Sequence, residues 1–152
     1  MDISRWLEQN VGARLLMLHD KVYIASDGRI GHTIPGGPSN LILHTVGAKT
    51  GQKRDNTLSY ARDGDDYLVV ASKGGSPKPP AWLANLTADP RCEIQVGRRR
   101  IPVTARSTLP DDPDYARRWT IVNSVNADRY TQYQTRTTRP IAVVELRPVS
   151  DV

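Results

Sequence analysis

Apolar residues return at helical spacing over residues 2–23: Ile3, Trp6, Leu7, Val11, Leu15, Leu18 and Val22, with Arg5, Glu8, Gln9 and Arg14 between them. This spacing predicts an amphipathic helix, weakened at Gly12. Residues 26–40 (SDGRIGHTIPGGPSN) are rich in Gly, Pro and Ser and read as a loop. From residue 41 the pattern changes to short strand-like runs: 41–47 (LILHTVG), 54–62 (RDNTLSYAR), 66–72 (DYLVVAS), 92–97 (CEIQVG), 99–106 (RRIPVTAR) and 141–147 (IAVVELR). Asp63-Gly64 marks one hairpin and Gly97 a second. Two helices interrupt the strands. One covers 81–88 and stops at Asp89-Pro90; the other starts at Asp112 as N-cap with Pro113 in its first turn, and places Tyr115, Trp119 and Val122 on one face. The stretch 126–138 is polar and bears tyrosines, as a short helix or a loop. Strands joined by hairpins, with few helices between them, argue against a doubly wound parallel sheet. They predict an α+β protein, mainly β with peripheral helices, built on a small antiparallel barrel.

The length of 152 residues suits one domain, 1–152, with the amphipathic helix at about 2–23 and the barrel at about 41–147. The lone cysteine, Cys92, excludes an internal disulfide framework and fits a reducing compartment, so the expected location is the cytoplasm. No apolar run reaches the length of a membrane span, and the N-terminus lacks the order of a signal peptide. Weak contact with the inner membrane face through the first helix stays open, diluted by Asp2, Glu8 and Asp20.

The 21 Lys and Arg exceed the 16 Asp and Glu, for a net charge of +5, which favours an anionic partner. Nucleic acid is not expected, because no recognised motif or basic–aromatic face accompanies the charge. His19, His32 and His44 are scattered, so no metal site is expected. A nucleophile elbow and a Walker A loop are also absent. Arg98, Arg99 and Arg100 follow Gly97 at a hairpin tip and read as solvated surface. Two basic loops remain, Gly47–Arg54 (GAKTGQKR) and Ala71–Lys78 (ASKGGSPK). Their glycines let backbone N–H groups approach an anion, and the flanking Lys, Arg, Ser and Thr complete a cradle.

The blocks Thr45–Arg54 (TVGAKTGQKR), Ala71–Gly75 (ASKGG) and Pro80–Leu86 (PAWLANL), with Asp89-Pro90 and the Tyr130–Thr138 stretch, resemble the deazaflavin-dependent nitroreductase family over about residues 22–147. The resemblance implies a split antiparallel β-barrel of the FMN/deazaflavin-binding type and coenzyme F420 as cofactor. It implies an F420H2-dependent reductase that passes a hydride to a small electrophilic acceptor: a quinone, an enone or a nitro compound. The anionic phosphate and glutamate tail of F420 explains a need for Lys49, Arg54, Lys73 and Lys78. Carried over residue by residue, the pattern also places Thr50, Asn56, Ala71, Ser72, Gly74, Gly75, Trp82 and Asn85 around the cofactor. Thr50 and Ser72 can donate from their hydroxyls, and Gly74 and Gly75 from their amides. On the acceptor side the resemblance points to Tyr130 and Tyr133. Where the family has a strand tyrosine, this chain has Ser59 with Tyr60 beside it, which favours an enone or quinone over a nitro prodrug. Ser59, Tyr130, Tyr133 or water would supply the proton.

Two other readings of the same loops are a ligand-binding module without turnover and an FMN-dependent split-barrel oxidoreductase. The oligomeric state is left as monomer or homodimer.

Overall fold

The computed structural model describes residues 18–33 and 38–149. A helical segment over 18–25 opens this region; the rest of the expected helix at 2–23 lies outside the described residues. The elements then run β1 (Asn40–Val46), β2 (Lys53–Ser59), β3 (Ala61–Asp63), β4 (Asp66–Val70), a 3-10 turn (Lys73–Gly75), α1 (Ala81–Ala88), β5 (Arg91–Val96), β6 (Arg99–Thr108), α2 (Tyr115–Ser124), α3 (Arg129–Gln134) and β7 (Val143–Pro148).

All seven strands join one sheet in the order β2-β1-β5-β6-β7-β4-β3, and every neighbouring pair is antiparallel. Its two edge strands, β2 and β3, are consecutive in the chain and separated by Tyr60 alone. One residue spans less than about 4 Å. The sheet therefore curls until its edges meet at Tyr60, making a barrel. The expected single strand at 54–62 is thus two. Ser59 pairs with Asn40 of β1, Ala61 pairs with Leu68 of β4, and the Tyr60 N–H donates to Ser39 between these partners. The first part of this strand follows β1 and the second follows β4, so β2 and the far end of β4 diverge. That gap is the split in the barrel.

Period-2 alternation sorts the side chains into two apolar clusters. Tyr67, Val69 and Ala71 point into the barrel with Leu41, Leu43, Ile94, Val103, Val144 and Leu146. Leu68 and Val70 point outward and meet Tyr115, Val122, Tyr130 and Ile141 beneath α2 and α3. β4 is therefore buried on both faces, which is why its centre reads as an unbroken apolar run. Gly64, at φ +61°, supplies the left-handed residue of the β3–β4 turn.

Helix α2 starts later than Asp112. The Asp112 carboxylate accepts the Asp114 N–H (2.9 Å) and also binds Arg106 (2.8 Å), so it shapes the turn before the helix, and helical residues begin at Tyr115. On the outer face α2 is joined to the sheet by charge. Arg118, 4 % exposed, donates to Glu145 of β7 (2.6 Å) and to Asp63 (3.2 Å). Arg106, Arg117 and Arg147 extend the cluster to Asp66, Asp112 and Asp114. At the other side of the barrel Arg100 is not merely solvated: it pairs with Glu93 (2.8 Å) and Asp27 (3.0 Å).

Candidate active site

The barrel's split opens as a cleft of about 1050 Å³ between β2, the end of β4 and α1. Its two rims are the basic loops singled out in the sequence. The first rim turns β1 into β2, closed by Gly47 N–H to the Gln52 carbonyl (2.8 Å) and Gly51 N–H to the Gly47 carbonyl (2.9 Å). It presents Lys49, Thr50 and, from β2, Arg54 and Asn56. The buried Asn85 side chain on α1 ties this rim down: its amide oxygen accepts the Ala48 N–H (3.0 Å) and its NH2 donates to Thr45 (3.2 Å). Asn85 lines the cleft, yet these bonds hold the loop rather than point to a ligand.

The second rim follows β4. Ser72 is right-handed (φ −82°, ψ −41°), while Lys73, Gly74 and Gly75 are left-handed (φ +44°, +64° and +82°). A right-handed residue followed by left-handed ones turns successive N–H groups to one side, forming an anion-receiving nest. Among the described residues the N–H groups of Lys73 and Gly74 have no partner, whereas that of Gly75 is spent on the Ser72 carbonyl (2.9 Å). Lys73 holds a conformation that costs a side-chain-bearing residue about 1–2 kcal/mol, the kind of strain that gathers at binding sites. A Cβ on Gly75 would lie 2.4 Å from the Tyr133 carbonyl oxygen, so only glycine lets this rim sit against α3.

The cleft thus combines cationic and apolar lining. Lys49, Arg54 and Lys73 are exposed and, among the described residues, have no acidic partner within 4 Å. Leu58, Val70, Pro80, Ala81 and Trp82 form the apolar wall; Trp82, 4 % exposed, belongs to the core and the cleft at once. A flat apolar ring with an anionic tail fits this division, which tests the cofactor against the residues present: the nest and free cations match the tail, the Trp82 wall the ring.

Eight of the twelve expected cofactor residues line the cleft: Lys49, Thr50, Arg54, Asn56, Ser72, Lys73, Trp82 and Asn85. Ala71, Gly74, Gly75 and Lys78 do not; Ala71 is fully buried in the barrel core, Gly74 and Gly75 shape the rim, and Lys78 is exposed beyond it. The three expected catalytic hydroxyls also stand away from the lining. Ser59 donates to the Asn40 side chain (3.2 Å) at the end of β2. Tyr130 lies in the outer core, where burial, and then the neighbouring Tyr133, push its phenol up to about 12. Tyr133 packs beside Tyr130, with Arg136 over its ring. Tyr130 is thus buried away from the cleft, whereas Tyr133 is half-buried beside the second rim.

The sequence reading missed the cleft-lining Asp55, whose carboxylate pairs with His44 (2.6 Å), and Arg139 behind the rim. Arg139 donates to the carbonyls of Ser76 (2.9 Å), Ala71 (3.1 Å) and Ser72 (2.8 Å), behind the second rim. It lies more than sixty residues away in sequence, within a polar stretch with no periodicity, so no local signal marks it.

The F420H(2)-dependent quinone reductase family model matches residues 15–148. The chain is 62 % identical over 146 residues to an F420H(2)-dependent quinone reductase of Mycobacterium tuberculosis, covering 96 % of this chain and 98 % of the relative. Among solved structures, an F420-H2 dependent reductase superposes with TM-score 0.63 at 34 % identity, over 71 % of this chain and 93 % of the other. A chain solved as a domain-swapped dimer gives TM-score 0.65 at 27 % identity, over 96 % of this chain and all (100 %) of the other.

Proposed function

The chain belongs to the F420H(2)-dependent quinone reductase family, and we propose that its barrel cleft takes reduced F420 and delivers a hydride to a quinone bound against the same cleft. The observation that carries this reading is the pairing of an N–H nest and three cations, none with an acid within 4 Å among the described residues, with an apolar wall that includes Trp82. When bound, reduced F420 supplies a hydride from carbon. The chain's own residues bind, orient and exclude water. Arg54 presents a planar fork suited to a phosphate, and Lys49 and Lys73 act as point charges along the tail. The unpartnered Lys73 and Gly74 amides would donate to an anionic oxygen. Trp82, with Leu58 and Pro80, would give the ring an apolar wall and help exclude water from it.

In the overall reaction a quinone takes up one hydride and one proton to become a hydroquinone. We take the proton from water, because Ser59, Tyr130 and Tyr133 lie outside the cleft lining. Enones and nitro compounds are the further acceptor classes that a hydride donor could serve, and a soluble quinone is the first to try. We place the protein in the cytoplasm on the ground of its lone cysteine; peripheral membrane contact rests on the pattern at 2–23, largely outside the described residues.

The test is anaerobic oxidation of reduced F420, followed by the return of the oxidised cofactor's absorbance. The expected result is turnover that starts on adding a quinone and does not start without one. Saturable binding of F420 with no turnover across quinones, enones and nitro compounds would replace the enzyme by a binding module.

A further inference from the structure

We propose that Arg139 is the positioning residue of the second rim: its guanidinium sets the peptide planes of Ala71–Ser76 so that the nest N–H groups face the cleft. The inference rests on the F420 reading for the identity of the anion, but not for the clamp itself.

The argument starts from the trans peptide unit. Its C=O and N–H lie in one plane and point in opposite directions. Arg139 draws the Ala71 carbonyl toward itself at 3.1 Å, which sends the Ser72 N–H the other way. It draws the Ser72 carbonyl at 2.8 Å, which sends the Lys73 N–H the other way. The Lys73 amide is one of the two free donors of the nest, and the Lys73 side chain lines the cleft. A third bond, to the Ser76 carbonyl at 2.9 Å, closes the fork across both ends of the loop. Arg139 has no carboxylate within 4 Å among the described residues, so its charge stays uncompensated behind an anion-receiving loop.

Arg139 is itself held. Gln134, the last residue of α3, donates to the Arg139 carbonyl (2.8 Å) and accepts the Ile141 N–H (3.0 Å), bracketing the segment that carries the guanidinium. The close approach of Gly75 to the Tyr133 carbonyl fixes the same spacing from the other side. The left-handed Lys73 needs such support, because unaided it would relax to an ordinary conformation and turn its N–H away. A lysine at 139 keeps the charge but, as a single ammonium, lacks the planar fork that spans three carbonyls.

The experiment compares wild type with Arg139→Lys and Arg139→Ala. Two readouts are taken: the F420 dissociation constant by fluorescence, and amide hydrogen exchange of Gly75 and Ser76 in the protein without cofactor. Both variants are expected to bind F420 about tenfold or more weakly, the scale of lost charge-assisted bonds. Exchange at Gly75 and Ser76 is expected to quicken while the barrel strands keep their protection. Millimolar guanidinium is expected to restore binding in Arg139→Ala, where methylammonium does not. A general loss of fold would expose the strands too and would not be rescued by a small cation. Wild-type affinity in both variants with unchanged exchange overturns the clamp. If wild type itself does not bind F420, the F420 reading fails, and exchange at Gly75 and Ser76 still decides the clamp: faster exchange upholds it and unchanged exchange overturns it.

Discussion

Strand β4 has a charged cluster at each end, and the two have opposite fates. At its start, Asp66 joins Asp63 and Glu145 around Arg118, and the acids and guanidiniums there neutralise one another. Past its end, Lys73 lines the cleft with Lys49 and Arg54, and none of the three has an acid within 4 Å among the described residues; the acid in the lining, Asp55, is paired with His44 (2.6 Å). The centre of the first cluster, Arg118 and Glu145, is buried under α2 and fixes how the helix sits on the sheet. The second is left exposed and is shaped by backbone strain at Lys73. Charge that is spent inside the protein stabilises the fold; charge withheld from every internal partner is available to a ligand.

The sharpest way to break this contrast is Arg118→Ala. It leaves Glu145, 3 % exposed, without its closest partner, and should cost about 3–5 kcal/mol. Thermal denaturation should show a loss on the order of 10 °C for a domain of this size. The F420 affinity of the folded fraction should not change. Weakened binding at full folding would mean that the two clusters are not independent.

Next is Arg54→Ala, which removes a cation with no structural partner. It should weaken F420 binding by about 1.5–3 kcal/mol, the value of a charge-assisted bond, and leave the melting temperature within a degree or two. A large fall in stability would show that Arg54 is spent internally after all.

Of the two clusters, acid should act on the first. Hydrogen bonding to Arg117 leads in holding Asp63 below the ordinary carboxylate value. For Glu145, burial pushes upward but is outweighed by Arg118 and Arg106, so it too is lowered. Both folded values lie below the unfolded ones. Their stabilisation is therefore complete above the ordinary carboxylate range and is lost as pH falls through the depressed folded values. Melting curves should be flat at neutral pH and decline in acid, and Arg118→Ala should flatten that decline.

The smallest effect is the most telling for strain. Lys73→Gly removes a charge and relieves a left-handed side chain, so it should raise stability by up to about 1 kcal/mol while weakening F420 binding. Stability and affinity moving together would contradict a cleft that is strained for its ligand.

Much of the barrel was legible in the chain because its strands carry their burial locally. The apolar centre of 66–72, the Asp63-Gly64 turn and the stop at Asp89-Pro90 each announce an element through neighbouring residues. The break at Tyr60 was not legible, because it comes from a change of pairing partner across the sheet rather than from any breaker residue. The start of α2 was misplaced because Asp112 has the chemistry of a cap but spends it on a turn and on Arg106. The two rims were visible as glycine-rich basic loops. What locks them, Asn85 for the first and Arg139 for the second, depends on contacts between distant segments, and of these only Asn85 fell within a recognisable block. The placement of the tyrosines outside the cleft lining was hidden for a related reason. Residue type suggested proton donors, while the packing of α3 against β4 turns Tyr130 into the core.

The most direct test of the account is a paired titration of wild-type protein with oxidised F420 and with FMN, followed by fluorescence at low and high salt. The account predicts saturable F420 binding that is tighter than FMN binding and weakens as salt screens Lys49, Arg54 and Lys73. Preferential FMN binding, or F420 binding indifferent to salt, would contradict it.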